Sequence, residues 1–548
     1  MKSSLPTRRL IPRWRSSIST LGQAEALSTT QQKSANAGVK EDSVKLEEAI
    51  SEWRATNSLG MLGEVLSFSV DPNLLERVIA IGDEAVMGDL PKTPTQRALI
   101  SGLRKPIREH EPPSGVVRDG DVSHPFQHRI RALRSLLRVA PDNPLALLDF
   151  AQLQAAVGKN EAAERCLRTA LNLAPGNRTV LRTLARFLVH AGRPEEGHRL
   201  LRRHERTRTD PWLMASEIAL AEVAQTTSEF LSKGQKLLRD KGLWHPAHST
   251  ELAGVVAMAE LRSGNLKRAR EAQRQALIAP NDNVAAQAVD FESAFGIALN
   301  APPIARAITA ASEAMLLQAW SVGIPDEIER HAISWHSEEP FSSRPIQMLT
   351  AIYAFRGQFE CAANWANAGL LTDPSDSGLL INLSYTFAKW GKLKEAEETL
   401  RQLRHLHQKV NEPFALATEG LIAYQVGNFE GGDRLYDSAV QLFELAQQPG
   451  VAAYCRINQA LSALDCRHPA VQHVTGKANL AFRQHPTRDS IMLLKTREIS
   501  GIETILEQPE ERRRTSQWIF NPTANTLTEN PRVTAVGAGP LFFGGKKT

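Results

Sequence analysis

Most of the features by which protein classes declare themselves are missing from this sequence. Four cysteines, at positions 166, 361, 455 and 466, are scattered through 548 residues. That is too few and too dispersed for a disulfide framework, and it fits a reducing compartment. No run approaches the roughly 18 apolar residues of a membrane-spanning helix, and no apolar stretch near the N-terminus marks a secretory signal. The sequence reads as unsecreted and without a membrane span. With 42% hydrophobic and 23% charged residues, it is neither disordered overall nor membrane-embedded, and it can bury a core.

Catalytic signatures are missing too. There is no His-Glu-x-x-His, no G-x-S-x-G and no dinucleotide G-x-G-x-x-G on a strand-to-helix turn. The Gly-Gly-Lys-Lys-Thr at 544–548 resembles a phosphate loop, but Pro540 stands where its first glycine is required. Cys455, Cys466, His468 and His473 form one Cys/His cluster, and its spacing lacks the close ligand pairs of a structural zinc site. The sequence therefore predicts a non-enzyme with no catalytic residues, no metal and no cofactor.

Charge is distributed unevenly. Residues 1–40 carry seven Lys/Arg and one acid, a net +6. The whole chain is +5, so the remainder is slightly acidic. Within that remainder, residues 101–210 hold 20 Lys/Arg against 12 Asp/Glu, and the rest must be acidic. Residues 1–22 are Arg- and Ser-rich and acid-free, the composition of a mitochondrial transit peptide. Pro6 and Pro12 oppose a long amphipathic helix there, which favours a basic arm of a cytoplasmic protein over a segment addressed to the mitochondrial matrix.

What the sequence does contain is a period. Gly323, Gly357 and Gly391 are 34 residues apart and Gly427 follows after 36; Gly158 and Gly192 are again 34 apart. Pro141, Pro175 and Pro211, and Pro340 and Pro374, keep the same step of 34 to 36. Each glycine falls between two helical apolar patterns, where a tight turn needs a residue without Cβ, and each proline falls where a second helix must stop.

The residues around these marks resemble the tetratricopeptide repeat family. In the window 144–177, Leu147, Phe150 and Ala151 fill a first helix, Gly158 makes the turn, and Ala163, Leu167, Ala170 and Pro175 follow. Windows from Ser343, Ser377 and Pro413 repeat the pattern, with weaker copies at 178–210, 211–247, 249–282 and 309–342; 283–308 is too short for a pair. The resemblance covers about residues 124–445. It implies an all-α chain, an α-solenoid of tetratricopeptide-like helix-turn-helix repeats forming a right-handed superhelix. The expected order is a basic arm (1–40), a helical cap (41–110), a connector (111–125), two arrays (126–308 and 309–445), further helices (446–517) and an extended tail (518–548). Leu541, Phe542 and Phe543 in that tail form an apolar cluster expected to contact a partner.

The resemblance also implies a scaffold or adaptor that grips a partner protein or peptide in the groove lined by first helices. Transferred offsets nominate Arg344, Gln347, Phe355, Asn382, Tyr385, Lys389 and Tyr424. The family's clamp for a terminal carboxylate is not implied, since only Asn382 matches its residue types. The alternative is a nucleic-acid-binding regulator, resting on the basic patch Arg178, Arg182, Arg186, Arg199, Arg202 and Arg203. No base-stacking aromatic is interleaved with those arginines, which favours the protein-binding reading. Partner identity and oligomeric state are not readable.

Overall fold

In the computed structural model, the described residues are 9–15, 39–56, 124–139, 141–239, 246–295 and 311–499, with single positions between 65 and 84 and between 299 and 308. Every regular element among them is helical: 22 α-helices and two short 3-10 turns. The tail with Leu541, Phe542 and Phe543 lies outside the described residues, as does nearly all of the connector expected at 111–125.

Helix α1 (Val39–Thr56) belongs to the N-terminal region, and α2 (His124–Val139) leads into the array. Consecutive antiparallel pairs then follow: α3 and α4 (Pro144–Ala156, Asn160–Leu173), α5 and α6 (Arg178–His190, Pro194–Arg203), α7 and α8 (Pro211–Val223, Leu231–Arg239), and α9 and α10 (Pro246–Arg262, Leu266–Ala276). A single helix α11 (Asp282–Phe295) precedes α12 and α13 (Ser312–Val322, Pro325–Glu338), α14 and α15 (Ser343–Phe355, Phe359–Thr372), and α16 and α17 (Ser377–Trp390, Leu393–His405). The array ends with α18 and α19 (Glu412–Gln425, Phe429–Leu445), α20 and α21 (Pro449–Asp465, Val471–Gln484), and α22 (Arg488–Ile499). Each helix packs on its pair mate and on the next pair. The chain is an α-solenoid.

Local chemistry sets these boundaries. Asn143, Asn177, Asp210 and Asp376 cap first helices by accepting from backbone N–H groups two or three residues on, satisfying donors that have no partner inside the helix. The turn glycines at 158, 192, 323, 357, 391 and 427 all take left-handed backbone, with φ between 73° and 80°. Pro175, Pro340 and Pro374 fall just beyond helix ends. Pro211 differs, opening α7 at its first position, where its fixed φ suits the helix and its missing N–H costs nothing.

First and second helices differ in burial for a geometric reason. Helix α3 is buried nearly all round, whereas α4 buries only Ala163, Leu167 and Ala170, because first helices are enclosed between their pair mates and the interior of the curl. Ala163 and Ala396 have no exposure at all, as close helix packing requires.

Pairing continues past residue 445. The turn between α20 and α21 uses Arg467 at φ 53°, as the turn between α7 and α8 uses Gln225 at the same φ, where the remaining pairs turn on glycine, so the glycine period does not reveal it. Helix α22 then folds back onto α12, α14 and α20, all of them first helices. It buries Met492, Leu493 and Leu494 there, and Asp489 accepts from the Trp320 indole N–H at 2.8 Å.

The array also closes on itself. The Thr372 hydroxyl at the end of α15 donates to the Ala156 carbonyl at the end of α3, 2.7 Å away and 216 residues earlier. Gly158 sits against the same place: a Cβ there would lie 2.4 Å from the Leu371 carbonyl oxygen. The described helices from α3 to α15 thus form one closed turn. Two glycines with the same φ of 73° separate closure from turn geometry, because nothing lies within 4 Å of the Cβ position at Gly192. We expect Gly192→Ala to cost about 1 kcal/mol in denaturant unfolding, the left-handed penalty alone. Gly158→Ala should cost roughly 1–3 kcal/mol more; equal losses would show that the ends of the turn do not meet.

Candidate functional site

Inside the closed turn lies a segment of the chain itself. Residues 9–15, Arg-Leu-Ile-Pro-Arg-Trp-Arg, run without helical structure, with Leu10, Pro12 and Trp14 buried and the residues between them half-buried. This two-residue alternation is that of an extended backbone, which sends successive side chains to opposite sides. Pro12 assists, since it favours extended geometry for itself and for Ile11.

The apolar side chains enter two pockets. Leu10, 2% exposed, joins Met214 and Ile218 of α7 and Leu252 and Val255 of α9. Its close approach requires Gly254, where a Cβ would fall 2.4 Å from the Leu10 Cδ1 atom. Trp14, 1% exposed, lies among Leu147 and Ala151 of α3, Leu184 of α5, Phe187 and Phe341. Its ring meets Phe187 edge-on at 6.0 Å and Phe341 tilted at 4.7 Å between centroids. Burying such side chains contributes about 1.5–3 kcal/mol each.

Two amides hold the backbone. The Gln152 Nε2 atom donates to the Trp14 carbonyl, and the Asn283 Nδ2 atom donates to the Ile11 carbonyl at 3.1 Å. Main-chain recognition of this kind fixes an extended segment in register while leaving its side chains to be read separately.

The charges are read by carboxylates from successive helices. Arg9 pairs with Glu222 at 2.9 Å. Arg13 pairs with Glu313, with Glu339 at 2.9 Å and with Asp282 at 3.3 Å. Arg15 pairs with Asp282 and with Glu338 at 2.8 Å. Burial disfavours the Arg13 charge, yet Glu313, Glu339 and Asp282 overcome this and hold the guanidinium protonated above its ordinary range. Burial pushes the Glu338 carboxyl up to about 7 against the pull of Arg15, with Asp282 adding to the rise. The groove's own Arg186, stacked over Phe341 at 4.8 Å, is brought down to about 10 by burial; Glu339 opposes this, while Arg13 and Arg344 reinforce it.

The residues nominated from sequence are distributed differently. Arg344 lies in this groove, 2.7 Å from Glu313 and over the Trp335 ring at 5.0 Å. Gln347 and Asn382 are buried and serve the contact between pairs: Gln347 donates to Asp376 at 2.8 Å, and Asn382 donates to the Gln347 carbonyl at 3.0 Å. Phe355, 1% exposed, packs near Trp320. Tyr385 packs against the core of the second half. Lys389 pairs with Asp465, and Tyr424 is buried with its hydroxyl bonded to Asp433 and Gln459. Except for Arg344, these positions belong to the interior of the second half, onto which α22 folds.

The basic patch divides between two faces. Arg178 pairs with Asp210, and Arg182 pairs with Glu251 and stacks over Trp212 at 4.7 Å; together with Arg186 they occupy α5. Arg199, Arg202 and Arg203 are exposed on α6, with Arg202 paired to Glu229. Gln152, Asn283, Asp282, Glu313, Glu338 and Glu339 escaped sequence reasoning because no spacing joins them. The available signal was the alternation of Leu10, Pro12 and Trp14 inside the basic arm of a chain with an acidic remainder.

Among the described residues no group of three or more His, Cys, Asp or Glu side chains is placed to hold a metal ion, and no helix is long and apolar enough to cross a membrane. Burial pushes the Cys455 thiol up to about 12, leaving it a poor ligand or nucleophile.

No family model matches the chain, and no curated protein matches it. Among solved structures, the crystal structure of the yeast Tom70 is similar, with a TM-score of 0.30 and 11% identity over 86% of this chain and 98% of that one. A likeness of that size carries no functional argument, and the fold stands on the helix packing described above.

The raised Glu338 carboxyl makes the site sensitive to pH. The folded chain binds this proton more tightly than the unfolded chain does. Its contribution to stability is therefore complete below the ordinary value of 4.5 and is lost as pH rises through about 7. Between pH 5 and pH 8 we expect the parent chain to lose about 2 kcal/mol more than Glu338→Gln in parallel denaturation series; parallel curves would remove Glu338 from the buried charge cluster.

Proposed function

We propose that this protein is a non-enzymatic scaffold or adaptor of tetratricopeptide-repeat type, which holds a partner protein by an extended segment in its concave groove. One observation carries the reading: the groove already holds an extended segment, with pockets for side chains, amides for backbone carbonyls and carboxylates for charge. A solenoid interior equipped in this way is a peptide receptor in form. The nucleic-acid reading gains less support, because Arg178 and Arg182 are already paired with Asp210 and Glu251 and so offer little free charge to phosphates. The cytoplasm is the compartment this reading assumes, with the mitochondrial matrix as its alternative.

Affinity purification of the full chain from its native cell, followed by identification of co-purifying chains, tests the proposal. We expect a protein chain in stoichiometric amount, lost when Gln152→Ala and Asn283→Ala are combined and the melting temperature stays within a few degrees. Bound nucleic acid released by moderate salt would favour the basic-patch reading. Turnover by the purified chain, abolished by one polar substitution, would contradict the non-enzymatic role.

A further inference from the structure

We propose that residues 9–15 are a built-in competitor, and that the groove's partner is another protein presenting the same chemistry: an extended, acid-free segment with a tryptophan between two arginines and a leucine-sized aliphatic residue four positions before it. The inference rests on the peptide-receptor reading above and states what the receptor selects and what stands in its way.

Three observations separate a displaceable ligand from a structural strut. The first is that the closed turn does not need the segment to close. Helix pairs pack in sequence, and the ends meet directly through Thr372 and Ala156 and through Leu371 and Gly158.

The second concerns what release would leave behind. Removing one partner from a buried ion pair is normally severe, because the other charge remains unpaired. Here the groove supplies substitutes for four of the five carboxylates. Glu222 is shared by Arg9 and the groove's Arg262, and Glu313 by Arg13 and Arg344. Glu339 keeps the Trp335 indole N–H at 2.7 Å, and Glu338 keeps the Ser312 hydroxyl at 3.0 Å. Among the arm's acidic partners, Asp282 is the one that meets the arm through two arginines at once, Arg13 and Arg15, so it is the carboxylate that best reports whether a basic ligand is bound.

The third is the manner of binding. Both backbone contacts are made by side-chain amides to carbonyls of the segment, so any extended chain can satisfy them, while Gly254 and the Phe187–Phe341 slot select side chains at two positions. A tethered copy of such a ligand acts at a high effective concentration and suppresses free competitors until it is released.

The experiment uses the full chain and a dye-labelled synthetic peptide, Arg-Leu-Ile-Pro-Arg-Trp-Arg. Combining Arg13→Gln with Trp14→Ala weakens the tethered copy, and we expect this variant to bind the peptide at least tenfold more tightly than the parent. Adding Asp282→Asn should take that gain away, and a peptide with glutamine for every arginine should not bind. Equal affinity in parent and variant, or a folded variant that binds nothing, overturns the proposal. Should the double variant fail to fold, Arg15→Gln alone leaves Trp14 in its pocket and should still raise peptide affinity; no gain there makes the segment a strut and ends the idea. Arm exchange between differently labelled copies of the parent would assign the groove to a second copy of this chain and overturn the claim of a separate partner. Failure of peptide binding while a partner still co-purifies through Gln152 and Asn283 would reject the competitor and leave the scaffold role standing.

Discussion

The arrangement depends on one meeting of backbone: the end of α15 against the turn that follows α3, where Thr372 bonds the Ala156 carbonyl and Gly158 leaves room for Leu371. A solenoid gains most of its stability from neighbouring pairs and can in principle stay open. Once the curl closes, its interior becomes a compartment with little water, and charges placed there interact far more strongly than they would on an open concave face. The carboxylates that α7, α11, α12 and α13 send inward have to be neutralised in that compartment, and arginines from the arm and from the groove walls share the task.

The two halves of the array solve their concave faces differently. In the first half the interior is polar at its centre and apolar at two pockets, and it accommodates seven extended residues. In the second half α22 folds back on α12, α14 and α20 and makes the interior ordinary core, with Tyr424, Tyr436 and Phe355 nearly devoid of exposure. A groove that admits a peptide and a groove filled by its own helix therefore occur along one continuous stack. The difference arises from what is available to fill each: an Arg-rich arm in one case, the Met492-Leu493-Leu494 face in the other.

The helix pairs were legible in the sequence because turn geometry has a strong local requirement. Left-handed backbone selects glycine, and helix ends select proline, so Gly158, Gly323 and Pro374 announce themselves at a fixed step. The pair α20–α21 stayed hidden because Arg467 accepts the same left-handed backbone without being glycine. The groove was less legible for a different reason. Family offsets identify positions on first helices, but whether those positions face a ligand or a packed helix is decided by segments hundreds of residues away. Arg344 kept its place beside the groove, whereas Phe355 and Tyr424 were absorbed by packing. The acidic residues that read the arm come from several helices and share no spacing.

The central claim is that residues 9–15 lie inside the closed turn with Trp14 between the first and last repeats of that turn. It is tested most directly by placing a photoreactive benzoylphenylalanine at position 14 of the full chain and mapping the cross-links by mass spectrometry. The structure requires cross-links to peptides containing Leu147 and Ala151, Leu184 and Phe187, and Phe341. Cross-links confined to the region around α1, or to neighbouring molecules, would contradict it.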